Sequence, residues 1–76
     1  MNTKRILIVD DEESVCRVLA RHLREKGYET CCALTSEDGL RKFAAFRPHL
    51  VILDIRLPDG DGLVLLERFR AADPGL

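Results

Sequence analysis

Residues 6–9 and 50–53 form two unbroken apolar runs, Ile6-Leu7-Ile8-Val9 and Leu50-Val51-Ile52-Leu53. Neither alternates as a strand with one wet face would, so both read as short strands buried on two sides. That is the mark of a parallel sheet with helices on each face, and the segments between the runs fit it. Residues 12–26 place Val15, Val18, Leu19 and Leu23 at helical spacing and Arg17, Arg21 and Arg24 on the opposite side. Glu12 and Glu13 lie at the positive end of this helix, Lys26 lies near its negative end, and Gly27 stands where a C-terminal cap is needed. Residues 28–33 alternate loosely and predict a second strand at an exposed edge. Thr35 or Ser36 caps a second helix that carries Leu40, Phe43 and Phe46 inward. Gly39 weakens its interior by up to about 1 kcal/mol, and Pro48 fixes its end. Residues 55–62 are a loop dense in turn formers. A third helix follows over 63–72, with Leu63, Leu66 and Phe69 as its apolar positions and Asp73-Pro74-Gly75 as its stop.

Three strand–helix units in 76 residues make one small α/β domain or a piece of one. Twelve basic residues against thirteen acidic ones leave a net charge of −1, which argues against a nucleic-acid or anionic-membrane partner. No apolar run approaches the roughly 20 residues of a membrane span. The opening Met1-Asn2-Thr3-Lys4-Arg5 leads into only four apolar residues, too short a run for a signal peptide. The expected location is the cytoplasm, where Cys16, Cys31 and Cys32 read as reduced small hydrophobes. His22, near the inner face of the first helix, and His49, at the start of a strand, read as structural.

Chemistry concentrates where the two apolar strands end. Val9 is followed by Asp10-Asp11, and Leu53 is followed by Asp54. In open α/β sheets, ligands bind beyond the carboxyl ends of the strands, where strand order reverses. With right-handed crossovers, the second strand at one edge and the third on the other side of the first, the order is 2-1-3 and the aspartates meet at the switch point. Neighbouring strands lie about 4.8 Å apart, so Asp10, Asp11 and Asp54 can reach one ion. Three carboxylates this close repel, and a hard divalent cation relieves the repulsion. Mg²⁺ suits such a site because it takes octahedral oxygens at about 2.0–2.1 Å and keeps several waters. The stretch from Asp54 to Asp61 lacks the spacing and closing glutamate of an EF-hand. One carboxylate, its charge screened, is then a candidate nucleophile toward phosphorus. Asp11, beside a helix start, is equally placed to cap it, and Asp59 and Asp61 read as turn residues.

The run Ile6-Leu7-Ile8-Val9-Asp10-Asp11-Glu12, then Gly27-Tyr28-Glu29, then residues 48–62 from Pro48-His49 through Leu53-Asp54 to Asp61-Gly62, closely resemble the receiver domain of two-component response regulators. The resemblance spans the chain and implies a flavodoxin-like three-layer α/β/α fold, whose strand order is the 2-1-3 given above. It implies that Asp54 is the phosphoacceptor for a sensor histidine kinase. Asp11 would bind Mg²⁺ directly, Asp10 largely through a metal-bound water, and the backbone carbonyl of Arg56 would be a further ligand. Pro58 and Gly62 match the loop after the phosphoacceptor, and the wording Leu-Pro-Asp-Gly-Asp-Gly is most similar to receivers attached to bacterial transcription activators. The implied role is a signalling domain that controls an output, not an enzyme.

Only the first three of the family's five βα units are matched. The switch Ser or Thr of the fourth strand and the Lys and aromatic residue of the fifth have no counterpart in these 76 residues. With the fourth and fifth strands missing, the third strand becomes an apolar edge. The expectation for a polypeptide of this length is therefore a homodimer or a strand-exchanged oligomer. The alternative function is a receiver-derived interaction module that binds Mg²⁺ without phosphorylation. A magnesium phosphohydrolase of the haloacid dehalogenase type would need a second Asp two residues after the nucleophile. Arg56 and Glu12 stand at the corresponding positions after Asp54 and Asp10.

Overall fold

The structure, a computed structural model, describes residues 3–76. Met1 and Asn2, which open the polar N-terminal run, lie outside the described residues. Strand β1 (Arg5–Val9) is followed by helix α1 (Glu13–Glu25), β2 (Glu29–Ala33), α2 (Ser36–Phe46) and β3 (Leu50–Leu53). Two short strands, β4 (Arg56–Leu57) and β5 (Gly60–Asp61), precede α3 (Gly62–Ala72). The main sheet is parallel, with order β2-β1-β3. Ile8 at its centre lies between Cys32 on one side and Ile52 on the other. Among the described residues no helix is long and apolar enough to cross a membrane.

The period-2 alternation of strands divides the core into two layers. Ile6 and Ile8, with Ile52 and Cys32, face α1 and pack on Cys16 and Ala20. Leu7 and Val9, with Cys31, Ala33, Val51 and Leu53, face α2 and α3 and pack on Leu65, Phe69 and Phe43. The Phe43 and Phe69 rings stack at 4.3 Å with 9° between their planes, which fixes α3 against α2. The three-layer arrangement is thus built directly by the unbroken apolar run of β1, which serves both faces.

Helix rotations differ from those expected. On α1 the buried positions are Cys16 and Ala20, flanked by Leu19 and Leu23, while Val18 is 68% exposed. Two small residues four apart let the helix settle onto Ile6 and Ile8, and that turns Val18 and His22 to the outside. On α3 the buried pair is Leu65 and Phe69, and Leu63 and Leu66 are exposed, because the Phe43–Phe69 stack sets the rotation. Strand β3 is buried on two sides only in part. As an edge of the three-stranded sheet it leaves Leu50 53% exposed.

Caps follow their expected chemistry. Thr35 accepts the Asp38 N–H at 3.1 Å and starts α2, and Gly27 follows α1 at φ +95°. Arg47 ends α2 in the left-handed region at φ 53°. The Arg5 guanidinium donates from Nε to the Phe46 carbonyl at 2.9 Å and from Nη2 to the Arg47 carbonyl at 2.8 Å, satisfying carbonyls the helix leaves unpaired. Gly39 has a positive purpose that propensity hides. A Cβ there would stand 3.4 Å from both methyls of Val9, so its lack of a side chain lets α2 lie close against β1.

Candidate functional site

Asp10 and Asp54 continue the sheet ladder by one residue beyond β1 and β3. The Asp10 N–H donates to the Ala33 carbonyl at 3.0 Å, and the Asp54 N–H donates to the Val9 carbonyl at 2.8 Å. Both main chains are therefore held at the carboxyl ends of their strands. Their side chains are oriented alike: Asp10 Oδ1 accepts the Glu12 N–H at 3.0 Å, and Asp54 Oδ1 accepts the Arg56 N–H at 3.1 Å. Each aspartate so closes a small turn on itself. Asp11 is exposed, and the N-cap of α1 is Glu12, which makes no side-chain cap bond, so capping is not the task of Asp11. The three residues come together as expected. One carboxylate oxygen from each of Asp10, Asp11 and Asp54 lies within 4.8 Å of the others. Asp10 and Asp54 are half-buried. An all-oxygen, partly exposed set of this kind fits a hard divalent cation that retains waters.

Residues after Asp54 are more ordered than a loop of turn formers predicts. Arg56 pairs with Asp61 and Leu57 with Gly60, and Leu57 is buried in the α2–α3 layer of the core. This hairpin carries Pro58 and Asp59 at its tip. Asp59 Oδ1 accepts the Ser36 N–H at 2.7 Å and Oδ2 accepts the Glu37 N–H at 3.0 Å, so the hairpin holds the first turn of α2. The Glu37 and Ser36 N–H groups hold the Asp59 carboxyl below its ordinary range. Asp61 Oδ1 accepts the Leu63 N–H at 2.9 Å and caps α3. Both residues are therefore helix caps as well as turn formers. The bond across 22 residues had no local signal by which to be read.

Gly62 explains itself by space. Its N–H donates to the Ile55 carbonyl at 2.7 Å, and a Cβ would stand 2.4 Å from the Asp54 carbonyl oxygen and 2.6 Å from Ile55 Cα. The backbone that carries Asp54 is packed against α3 at a distance no side chain allows. His49 has a structural role at the other end of the sheet. Its Nδ1 accepts the Arg5 N–H at 2.9 Å, and its own N–H donates to the Arg5 carbonyl at 2.8 Å. Partial desolvation and then the charges of Arg5 and Lys4 lower its pKa from 6.5.

Comparison with known proteins agrees with this geometry. Residues 6–76 match the family described as "Response regulator receiver domain". The chain is 43% identical over 67 residues to Regulatory protein AtoC of Escherichia coli strain K12, covering 88% of this chain and 14% of AtoC. It is 39% identical over 67 residues to the alkaline phosphatase synthesis transcriptional regulatory protein PhoP of Bacillus subtilis strain 168, covering 88% of this chain and 28% of PhoP. A receiver domain protein (CheY-like) of Methanospirillum hungatei superposes with TM-score 0.95 at 39% identity, over 99% of this chain and 60% of that one. The response regulator TrrA of Thermotoga maritima, solved in complex with Mg²⁺-BeF, superposes with TM-score 0.88 at 40% identity, over 95% of this chain and 63% of that one. The 76 residues thus span a small part of the two regulators and about three fifths of the solved receiver chains. With the β2-β1-β3 sheet, the acidic cluster at its carboxyl end and these matches taken together, the chain belongs to the response regulator receiver domain family.

Proposed function

We propose that this chain accepts a phosphoryl group on Asp54 from a sensor histidine kinase, with Mg²⁺ bound by Asp10, Asp11, Asp54 and the backbone carbonyl of Arg56. The observation that carries the proposal is the convergence of three carboxylates within 4.8 Å where β1 and β3 end side by side. The Mg²⁺-BeF complex of TrrA supports the choice of ion. Mg²⁺ supplies charge neutralisation for the carboxylates and the incoming phosphoryl oxygens. Asp54 Oδ1 is engaged by the Arg56 N–H, so Oδ2 is the oxygen left to attack phosphorus. A P–O bond forms to Asp54 as the P–N bond to the kinase histidine breaks, and that imidazole nitrogen takes up a proton. Asp54 ends as an acyl phosphate. The chain thus acts as an acceptor that is itself modified, rather than as an enzyme that turns over.

The name of PhoP, a transcriptional regulatory protein, supports transcription as the output of a complete protein built on this domain, and the cytoplasm is its proposed location. Adding Mg²⁺ and beryllofluoride or acetyl phosphate to the ¹⁵N-labelled protein is expected to shift amide resonances around Asp54, and Asp54→Asn is expected to abolish the shifts. No shift at concentrations that saturate an intact receiver rejects the reading. A second reading, an interaction module that works through the edge of β3, is favoured by the exposure of Leu50 at 53%. Retention of biological effect in Asp54→Asn supports that reading, and its loss supports phosphorylation.

A further inference from the structure

The hairpin after Asp54 is fixed at its base and at its tip, and the tip is fixed to a different helix. Two strands of two residues each are too small a pair to hold their place unaided. At the base, the Gly62 N–H donates to the Ile55 carbonyl at 2.7 Å, and Leu57 is buried in the core. At the tip, the Asp59 carboxylate accepts the Ser36 and Glu37 N–H groups at 2.7 and 3.0 Å. These are the first two donors of α2. The next two are met locally, Asp38 N–H by Thr35 Oγ1 and Gly39 N–H by the Thr35 carbonyl. Gly60 also lies close to α2, since a Cβ there would stand 3.2 Å from Ser36 Oγ. One residue of the hairpin belongs to the acidic site, because the Arg56 N–H donates to Asp54 Oδ1 at 3.1 Å. In an extended strand the N–H and C=O of one residue lie on the same edge, so the edge turned to Asp54 also carries the Arg56 carbonyl.

We propose that Asp59 is a positioning residue for the metal site: by tying the hairpin to α2 it sets the place of the Arg56 carbonyl, and so couples Mg²⁺ binding to order in the first turn of α2. The proposal rests on the Mg²⁺ site described under the function above. Asp59 needs no contact with the ion. Only Leu57 and Pro58 separate it from Arg56, and one of these is held by the core while the other has its φ fixed by its ring. The place of the tip is therefore passed to Arg56 through few soft torsions. Mg²⁺ demands near-octahedral oxygens at about 2.0–2.1 Å, so a carbonyl serves it well only where the backbone is already held. Loss of the tip bonds leaves the hairpin fixed at its base alone, free to pivot and to carry the Arg56 carbonyl with it. The coupling runs both ways: an ion that holds Arg56 holds the hairpin, and through Asp59 it holds the Ser36 and Glu37 N–H groups.

The test titrates the full chain with Mg²⁺ alone and reads its affinity from amide resonances. Asp59→Ala is expected to weaken binding about tenfold, the lower end of the cost of losing a group that orients a metal ligand. Ser36→Pro separates position from charge. Proline is tolerated at the first residue of a helix, and Thr35 before it is already extended at φ −136° and ψ 162°. That variant keeps every carboxylate and removes the N–H that Asp59 accepts at 2.7 Å, so it too is expected to bind Mg²⁺ more weakly than the wild type. In the wild type, Mg²⁺ is expected to slow amide exchange at Ser36 and Glu37 more than at Arg47, whose N–H donates to the Phe43 carbonyl at the far end of α2. This last measurement needs no variant and decides the proposal even where one fails to fold. Wild-type affinity in Asp59→Ala, weaker binding in Asp59→Ala but not in Ser36→Pro, or equal slowing at Ser36 and Arg47 overturns the role of Asp59 and leaves the metal site standing. A wild type that binds no Mg²⁺ rejects the metal site itself, and the coupling with it.

Discussion

The carboxylate of Asp59 accepts the N–H of Ser36 at 2.7 Å, binding the hairpin that follows Asp54 to the first turn of α2. With the Glu37 N–H at 3.0 Å on its other oxygen, Asp59 acts as a helix cap supplied from a distant loop. Asp59→Ala is expected to lower the melting temperature and to speed amide exchange at Ser36 and Glu37, while leaving exchange at the centre of β1 nearly unchanged. These bonds hold the Asp59 carboxyl below its ordinary value of 3.8. The folded protein therefore binds fewer protons than the unfolded one in that range. The stabilisation is complete above 3.8 and is lost as pH falls through the lower folded value. Acid unfolding followed by circular dichroism should show this loss in the wild type and not in Asp59→Ala. Parallel acid limbs contradict it.

Gly62 gives a sharper steric test. The nearest backbone atom to a new Cβ would be the Asp54 carbonyl oxygen at 2.4 Å, and backbone cannot swing aside as a flexible side chain does. Overpacking of this kind costs about 1–3 kcal/mol. Gly62→Ala should lose stability of that order in urea unfolding and should move the amide resonances of Asp54 and Ile55. Gly75→Ala is the control, because a Cβ there meets only Asp73 Oδ1 at an ordinary 3.6 Å. Equal stability of the two variants would remove the close-approach account.

Legibility of this fold from sequence tracks the range of the interactions involved. Ile6–Val9 and Leu50–Leu53 announced two strands because burial on both faces leaves an unbroken apolar run, and Thr35 and Gly27 announced helix ends because caps are local. The aspartates at the ends of those strands then had one place to meet. Helix rotation was less legible. Apolar spacing pointed to Val18 and Leu63, yet the small pair Cys16 and Ala20 and the Phe43–Phe69 stack set the faces through tertiary contact. The hairpin was hidden because Pro58, Asp59 and the two glycines read as loop, and only the burial of Leu57 and the reach of Asp59 to α2 make it ordered.

His49 closes the lower end of the sheet only while its Nδ1 can accept the Arg5 N–H. Protonation at that nitrogen removes the acceptor. Partial desolvation, then Arg5 and Lys4, place its folded pKa below 6.5, so the unfolded chain binds more protons near that pH. Its contribution is full above 6.5 and declines as pH falls through the folded value. Comparing the wild type with His49→Asn between about pH 7.5 and about pH 5 should give a wild-type advantage that shrinks toward acid. An advantage that is constant or grows toward acid contradicts the hydrogen bond.

Magnesium should stabilise the fold in proportion to its occupancy of the acidic cluster. A ligand that binds only the folded state adds about 2.7 kcal/mol at a free concentration one hundred times its dissociation constant. The melting temperature of the wild type should therefore rise with added Mg²⁺ and return on chelation. Asp11 is the informative position. It is exposed and does not cap α1, so Asp11→Asn removes a ligand without removing a hydrogen bond on which α1 depends. It also reduces the repulsion among three carboxylates whose oxygens lie within 4.8 Å, so without Mg²⁺ the variant should be at least as stable as the wild type. In saturating Mg²⁺ the order should reverse, because the wild type gains what the variant cannot. Asp10→Asn is a weaker probe, since Asp10 Oδ1 also accepts the Glu12 N–H at 3.0 Å and its loss mixes structure with ligation. If Asp11→Asn gains as much from Mg²⁺ as the wild type does, the ion is not held by these three aspartates.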